Sequence, residues 1–145
     1  MHAVVIPMHG ASGVVVELKQ ILGAIPENSW AWSILELWGT GVAPQGMTMQ
    51  SFEDLIASSD NGYPLSWGDL VSCAADLEQV HECLIVAARS PSQLSRRLIE
   101  VESDPELFVA IEGMDSTQWY IRVNEYLDGF KTIEERLASL QRLKG

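Results

Sequence analysis

The sequence is short of cations. Nine Lys and Arg face twenty Asp and Glu in 145 residues, a formal net charge of −11. Sequence-independent nucleic-acid binding rests on cations that displace phosphate counterions, and an anionic membrane surface attracts the same groups. Direct contact with nucleic acid or with a membrane is therefore not expected. Long apolar runs are scarce too: the longest, Cys83–Ala88, has six residues, against roughly 20 for a bilayer-spanning helix. The opening MHAVVIPMHG lacks the basic start and the apolar length of a secretory signal. Two cysteines make no disulfide framework, and reduced thiols in a cytoplasmic protein are the expectation. No repeat, low-complexity tract or linker interrupts the chain, so residues 1–145 read as a single domain. A hydrophobic content of 47% is too high for intrinsic disorder.

The shortage of cations is uneven. Residues 1–88 hold ten acids and one base, Lys19, whereas residues 89–145 hold ten acids and eight bases. Between Lys19 and Arg89 come Glu27, Glu36, Glu53, Asp54, Asp60, Asp69, Asp76, Glu78 and Glu82 without a single cation. Folding does not require such a field, and self-repulsion makes it a mild liability. Solubility explains net charge but not its confinement to one part of the chain. A docking face for a basic partner explains both, because opposite potentials steer encounter.

The apolar periodicity gives an α+β fold in the order β-α-β-α-α-β-α-β-β-α, with helices on a mixed sheet of about five strands. Ala3–Pro7 reads as a strand, then Val14, Val15, Leu18, Ile21, Leu22 and Ile25 form a helical stripe that Pro26 ends. Trp30–Trp38 reads as an interior strand with Trp30, Trp32, Ile34, Glu36 and Trp38 on one face. A short helix follows Ser51, and Ser66 opens another that presents Leu70, Val71, Ala74 and Leu77. His81–Arg89 is the expected sheet centre. Ser90, Pro91 and Gln93 form a capping box for a helix with Leu94, Leu98 and Val101 buried. Leu107–Ile111 and Trp119–Val123 read as a hairpin, and Thr132–Glu135 as the capping box of a last helix with stripe Ile133, Leu137, Leu140 and Leu143. Glu134 and Glu135 at its start and Arg142 and Lys144 at its end suit the helix dipole.

Candidate chemistry is thin. Cys73, His81 and Cys83 have ligand-type side chains, but the paired-cysteine spacing and fourth ligand of a zinc site are missing. Core cysteines fit better, and a catalytic thiolate would need exposure that Cys83 lacks in so apolar a strand. The loop Gly10–Gly13 follows a strand and precedes a helix, where backbone N–H groups attract phosphate. It matches neither G-x-G-x-x-G nor the P-loop, carries no cation, and Ser12 reads more simply as a helix cap. The adjacent acids Glu53-Asp54 and Glu134-Glu135 point roughly 100° apart on a helix and make no acid/base pair. No metal or cofactor is expected. Tyr63 and Trp67, by contrast, flank a loop between two acidic helices, as an aromatic anchor ringed by polar groups would.

These observations lead to a non-catalytic protein that occludes a basic partner, of the kind an immunity protein or antitoxin is to a nuclease-type toxin, or to an acidic mimic of nucleic acid. Its expected contact residues are Glu53, Asp54, Asp60, Tyr63, Trp67, Asp69, Asp76 and Glu78. A module that binds a small molecule or phosphate through Gly10–Gly13, and an enzyme with a dispersed site, are the alternatives.

Overall fold

Every pair of neighbouring strands is antiparallel in the computed structural model, which describes residues 1–10, 13–100 and 104–142. Among these residues lie six strands: β1 (His2–Pro7), β2 (Ala31–Gly41), β3 (Tyr63–Leu65), β4 (Leu77–Ala88), β5 (Leu107–Met114) and β6 (Gln118–Val123). Their order across the sheet is β1-β6-β5-β4-β2-β3. With helices α1 (Leu18–Gly23), α2 (Met49–Ala57), α3 (Trp67–Asp76) and α4 (Phe130–Arg142) they form one α+β domain. None of these helices is long and apolar enough to cross a membrane.

The expected mixed sheet of about five strands is corrected on both points. No parallel pair forms, because α1 carries the chain across the sheet to β2, which is not a neighbour of β1. The added strand, β3, contains Pro64, whose missing N–H makes it read as loop. At the sheet edge, beyond β2, no donor is needed there.

Buried side chains of all four helices, among them Ile21, Phe52, Leu70 and Leu137, meet Trp32, Ile34, Ile85, Ile111 and Trp119 in one core. The opposite face of the sheet has a smaller core, where Leu94 and Leu98 cover Leu35, Leu84, Val86, Ala88, Leu107 and Ala110. The segment that covers it was expected as a helix and is instead two 3-10 turns, Pro91–Gln93 and Arg96–Ile99. Its capping box forms from Ser90 and Gln93 as the sequence suggests, but Ser95 is fully extended, with φ −163°. The competing force is Arg96, whose guanidinium donates to the carbonyls of Leu35 (2.6 Å), Ile56 (3.2 Å) and Ser59 (3.3 Å). These acceptors lie at an irregularity of β2 and at the end of α2, where regular pairing runs out. Val101, the third residue of the expected stripe, lies outside the described residues.

Three helix starts also move. The second helix does not follow Ser51 but begins at Met49, with Thr48 as its cap accepting from the Ser51 N–H at 3.1 Å. The first helix begins at Leu18, not at Val14, with Glu17 as its N-cap and the Glu17 N–H donating to Gln20 Oε1 at 2.7 Å. The last begins at Phe130, so Thr132 is not its cap and Glu134 and Glu135 fall beyond its first turn. Ile133 and Leu137 are buried as expected, while Leu143 and Lys144 lie outside the described residues.

Candidate functional site

The site is shaped by irregular pairing between β2 and β4. Ile34 pairs with Ile85, but Glu36, not Leu35, pairs with Leu84, so Leu35 is an extra residue. Such a bulge reverses the inside–outside alternation beyond it. Trp32 and Ile34 therefore face the larger core, whereas Glu36 and Trp38 turn to the opposite face; the single face expected for these four residues is corrected. A second shift follows, since Trp38 pairs with Glu82 and Gly39 with Val80, leaving His81 without a ladder partner. The His81 ring lies 4.7 Å from that of Trp38, and its Nδ1 is 2.8 Å from Ser116 Oγ. Backbones approach so closely here that a Cβ on Gly39 would stand 3.3 Å from Val80 Cα and nearer still to the Gln79 carbonyl oxygen. The Gly39 N–H in turn donates to Glu53 Oε2 at 3.0 Å, tying α2 to the irregular strand.

Trp38, Glu36, Glu82 and Glu53 consequently border one groove of about 490 Å³, with Leu35, Ile56 and Arg96 in its wall. Asp69 and Asp76 border a second depression, about 170 Å³, which they share with Tyr63, Gln45 and Cys73. Glu78 lies at a third, beside Glu17 and Lys19. Asp54 and Asp60 are exposed on α2 and the turn after it, and Asp54 accepts a hydrogen bond from Gln50 Nε2. The structure thus brings Asp69, Asp76 and Tyr63 together, places Glu53 with two acids not expected beside it, and leaves Glu78, Asp54 and Asp60 outside the lining of both depressions.

No protein-family model, curated protein or solved structure matches this chain.

Eight of the nine acids between Lys19 and Arg89 are exposed, and Glu53 is half-buried. Among the described residues the ion pairs are Met1–Glu125, His2–Glu134 and Lys19–Glu17, so none of the nine carboxylates forms a direct ion pair there; the cations nearest to them are Arg96, in the wall of the first groove, and Lys19, beside Glu78. The aromatics expected to anchor a partner are less free. Trp67 lies half-buried with its ring 5.3 Å from Trp32, and Tyr63 meets Phe52 edge-on at 5.0 Å, so much of each ring already serves the core. The exposed tryptophan is Trp38, which alternation alone had placed beside Trp32. Only knowledge of the β4 register exposes it; Gly39 and Gly41, strand glycines of the kind that mark bulges, lie at the two later shifts and not at Leu35.

The Gly10–Gly13 loop does not open a helix. His9 bridges Val15, Val16 N–H returns to the Met8 carbonyl, and four residues separate Gly13 from α1. The helix cap is a carboxylate, Glu17, which opposes an anion at that terminus. Ser12 lies outside the described residues.

Both cysteines are buried. Burial pushes the Cys83 thiol up from 9.0 to about 12, with Glu112 and Glu36 adding to the rise and a backbone hydrogen bond at Gly113 opposing it. Burial, then Asp76, also raises Cys73. Because the folded state holds the thiol neutral, the contribution of Cys83 to stability is intact below the unfolded value of 9.0 and is lost as pH rises toward about 12. A disulfide thiol reagent near neutral pH is therefore expected to leave Cys83 unmodified in the native protein and to modify it rapidly in denaturant. Equal rates in the two states would contradict its burial.

Proposed function

We propose that this chain is a non-catalytic acidic binding protein that captures a basic protein and occludes it, as an immunity protein or antitoxin does a nuclease-type toxin. The observation that carries the reading is the set of nine carboxylates in a cation-free stretch, eight of them exposed and none paired with a cation among the described residues. Intramolecular pairing would have explained the acids by folding; unpaired, they supply a field that acts outward. A nuclease must carry cations where it holds phosphate, and those cations are the natural counterpart of this surface. The folded shape also suits occlusion. Acid-lined depressions on β2, β3, α3 and β4 can receive protruding basic side chains, and a standard interface of about 1,600 Å² in total is within reach of a domain this size.

Electrostatic capture has a kinetic signature. The partner is obtained by affinity capture from the host, and its association rate is measured from low to high ionic strength. Steering at low salt is worth about 10–10³-fold in association rate and collapses as the screening length shrinks from about 30 Å at 0.01 M to about 3 Å at 1 M. The expected result is a basic partner whose association slows steeply with salt while its dissociation changes less. A partner that associates at the same rate throughout that range would overturn the reading.

A further inference from the structure

The open part of the second sheet face holds a tryptophan that neither core uses. Trp32 and Trp119 are buried, Trp30 and Trp67 pack against the larger core, and Trp38 joins neither, with 55% of its surface exposed. Glu82 stands directly opposite Trp38 on β4, and Glu36 lies two residues before it on the same face of β2. Glu53 reaches the same groove from α2. Arg96, the cation in the groove wall, is already committed to three backbone carbonyls.

We propose that this groove docks an arginine side chain of the basic protein partner, an inference that rests on the capture reading above. Charge complementarity selects the occupant: an indole face attracts a cation through its ring quadrupole, and the carboxylates on either side attract the same charge. Arginine fits better than lysine because its planar guanidinium lies flat on the ring while its forked donors, in their own plane, point outward to carboxylates beside the ring. Lysine's compact ammonium has no plane to stack and keeps its water more strongly. The backbone geometry favours a permanent site, since Glu53 is tied to the Gly39 N–H and Trp38 leans on His81, which is itself hydrogen-bonded to Ser116.

The test is an NMR titration of the full chain at low salt with an end-blocked Arg-Gly-Arg tripeptide, with Lys-Gly-Lys as comparison. Shifts are expected at the Trp38 indole N–H and at the Glu36 and Glu82 amides, with the arginine probe binding more tightly than the lysine probe. Trp38→Ala should weaken probe binding, read at the Glu36 and Glu82 amides, about two- to fivefold, the factor an exposed cation–π contact supplies. Glu82→Gln, a milder change, should weaken the Trp38 response in the same direction. Shifts centred instead on Asp69 and Asp76, or equal affinity for the lysine probe, would overturn this inference and leave the capture reading standing. No response anywhere to either cationic probe would overturn this inference and count against the capture reading as well.

Discussion

Gly62→Ala is expected to cost about 2–5 kcal/mol, a large part of the 5–15 kcal/mol that typically holds a domain together. Two independent penalties meet at this residue. Its φ of +69° is one that side-chain-bearing residues rarely adopt. In addition, a Cβ there would stand 2.9 Å from both the Ile34 carbonyl carbon and Leu35 Cα, and closer still to the Ile34 carbonyl oxygen. Neither strand can yield easily. Tyr63 pairs with Ile34, and buried Ser33 donates its hydroxyl to the Asn61 carbonyl, clamping the turn against β2 on both sides of the glycine. Leu35, immediately beyond, is the extra residue that turns Glu36 and Trp38 to their face. The comparison that separates the two penalties is Gly129→Ala, where φ is +83° but an added Cβ meets nothing within 4 Å. Denaturant midpoints should fall much further for Gly62→Ala than for Gly129→Ala. Equal losses would show that the close approach to β2 contributes nothing.

Much of this architecture is legible in the sequence where one residue's chemistry decides the matter locally. Ser66 caps α3, its hydroxyl accepting from the Asp69 N–H at 3.2 Å, and the box of Ser90 and Gln93 forms as its residue types require. The apolar run at Cys83–Ala88 does become an interior strand with both faces covered. What could not be read depends on partners distant in the chain. The bulge at Leu35 has no local marker, because it exists only relative to the β4 register. The helix expected after Ser90 fails because Arg96 finds better acceptors 61, 40 and 37 residues away than a helix could offer it. The exposure of Trp38 and its proximity to Glu82 inherit both kinds of dependence. The charge asymmetry needs no register to be seen, yet only the folded chain separates the acids that share a groove from those that stand alone. Glu36 and Glu82 therefore join the candidate surface, and Trp38 takes the place sought for an exposed aromatic anchor.

The largest expected effect on binding comes from position-matched charge reversal. Glu36→Lys, Asp76→Lys and Glu82→Lys, combined in one variant, replace three exposed carboxylates that make no hydrogen bond or ion pair among the described residues. Asp76 moreover ends α3, where a cation suits the helix dipole better than an acid, so the fold is not expected to suffer. The matched variant reverses Glu100, Asp128 and Glu135, three exposed acids of the balanced half of the chain. Both variants gain the same charge; they differ in where it sits. Long-range self-repulsion and net attraction to a basic protein change alike in the two, leaving only local complementarity to distinguish them.

The association rate of these two variants with the captured basic partner, measured side by side at low ionic strength, is the most direct test of the central claim. The Glu36, Asp76 and Glu82 variant should associate about 10–10³-fold more slowly than the unaltered chain, while the matched variant loses a small fraction of that. Equal slowing by both would mean that only net charge matters and that the cation-free stretch is no recognition surface.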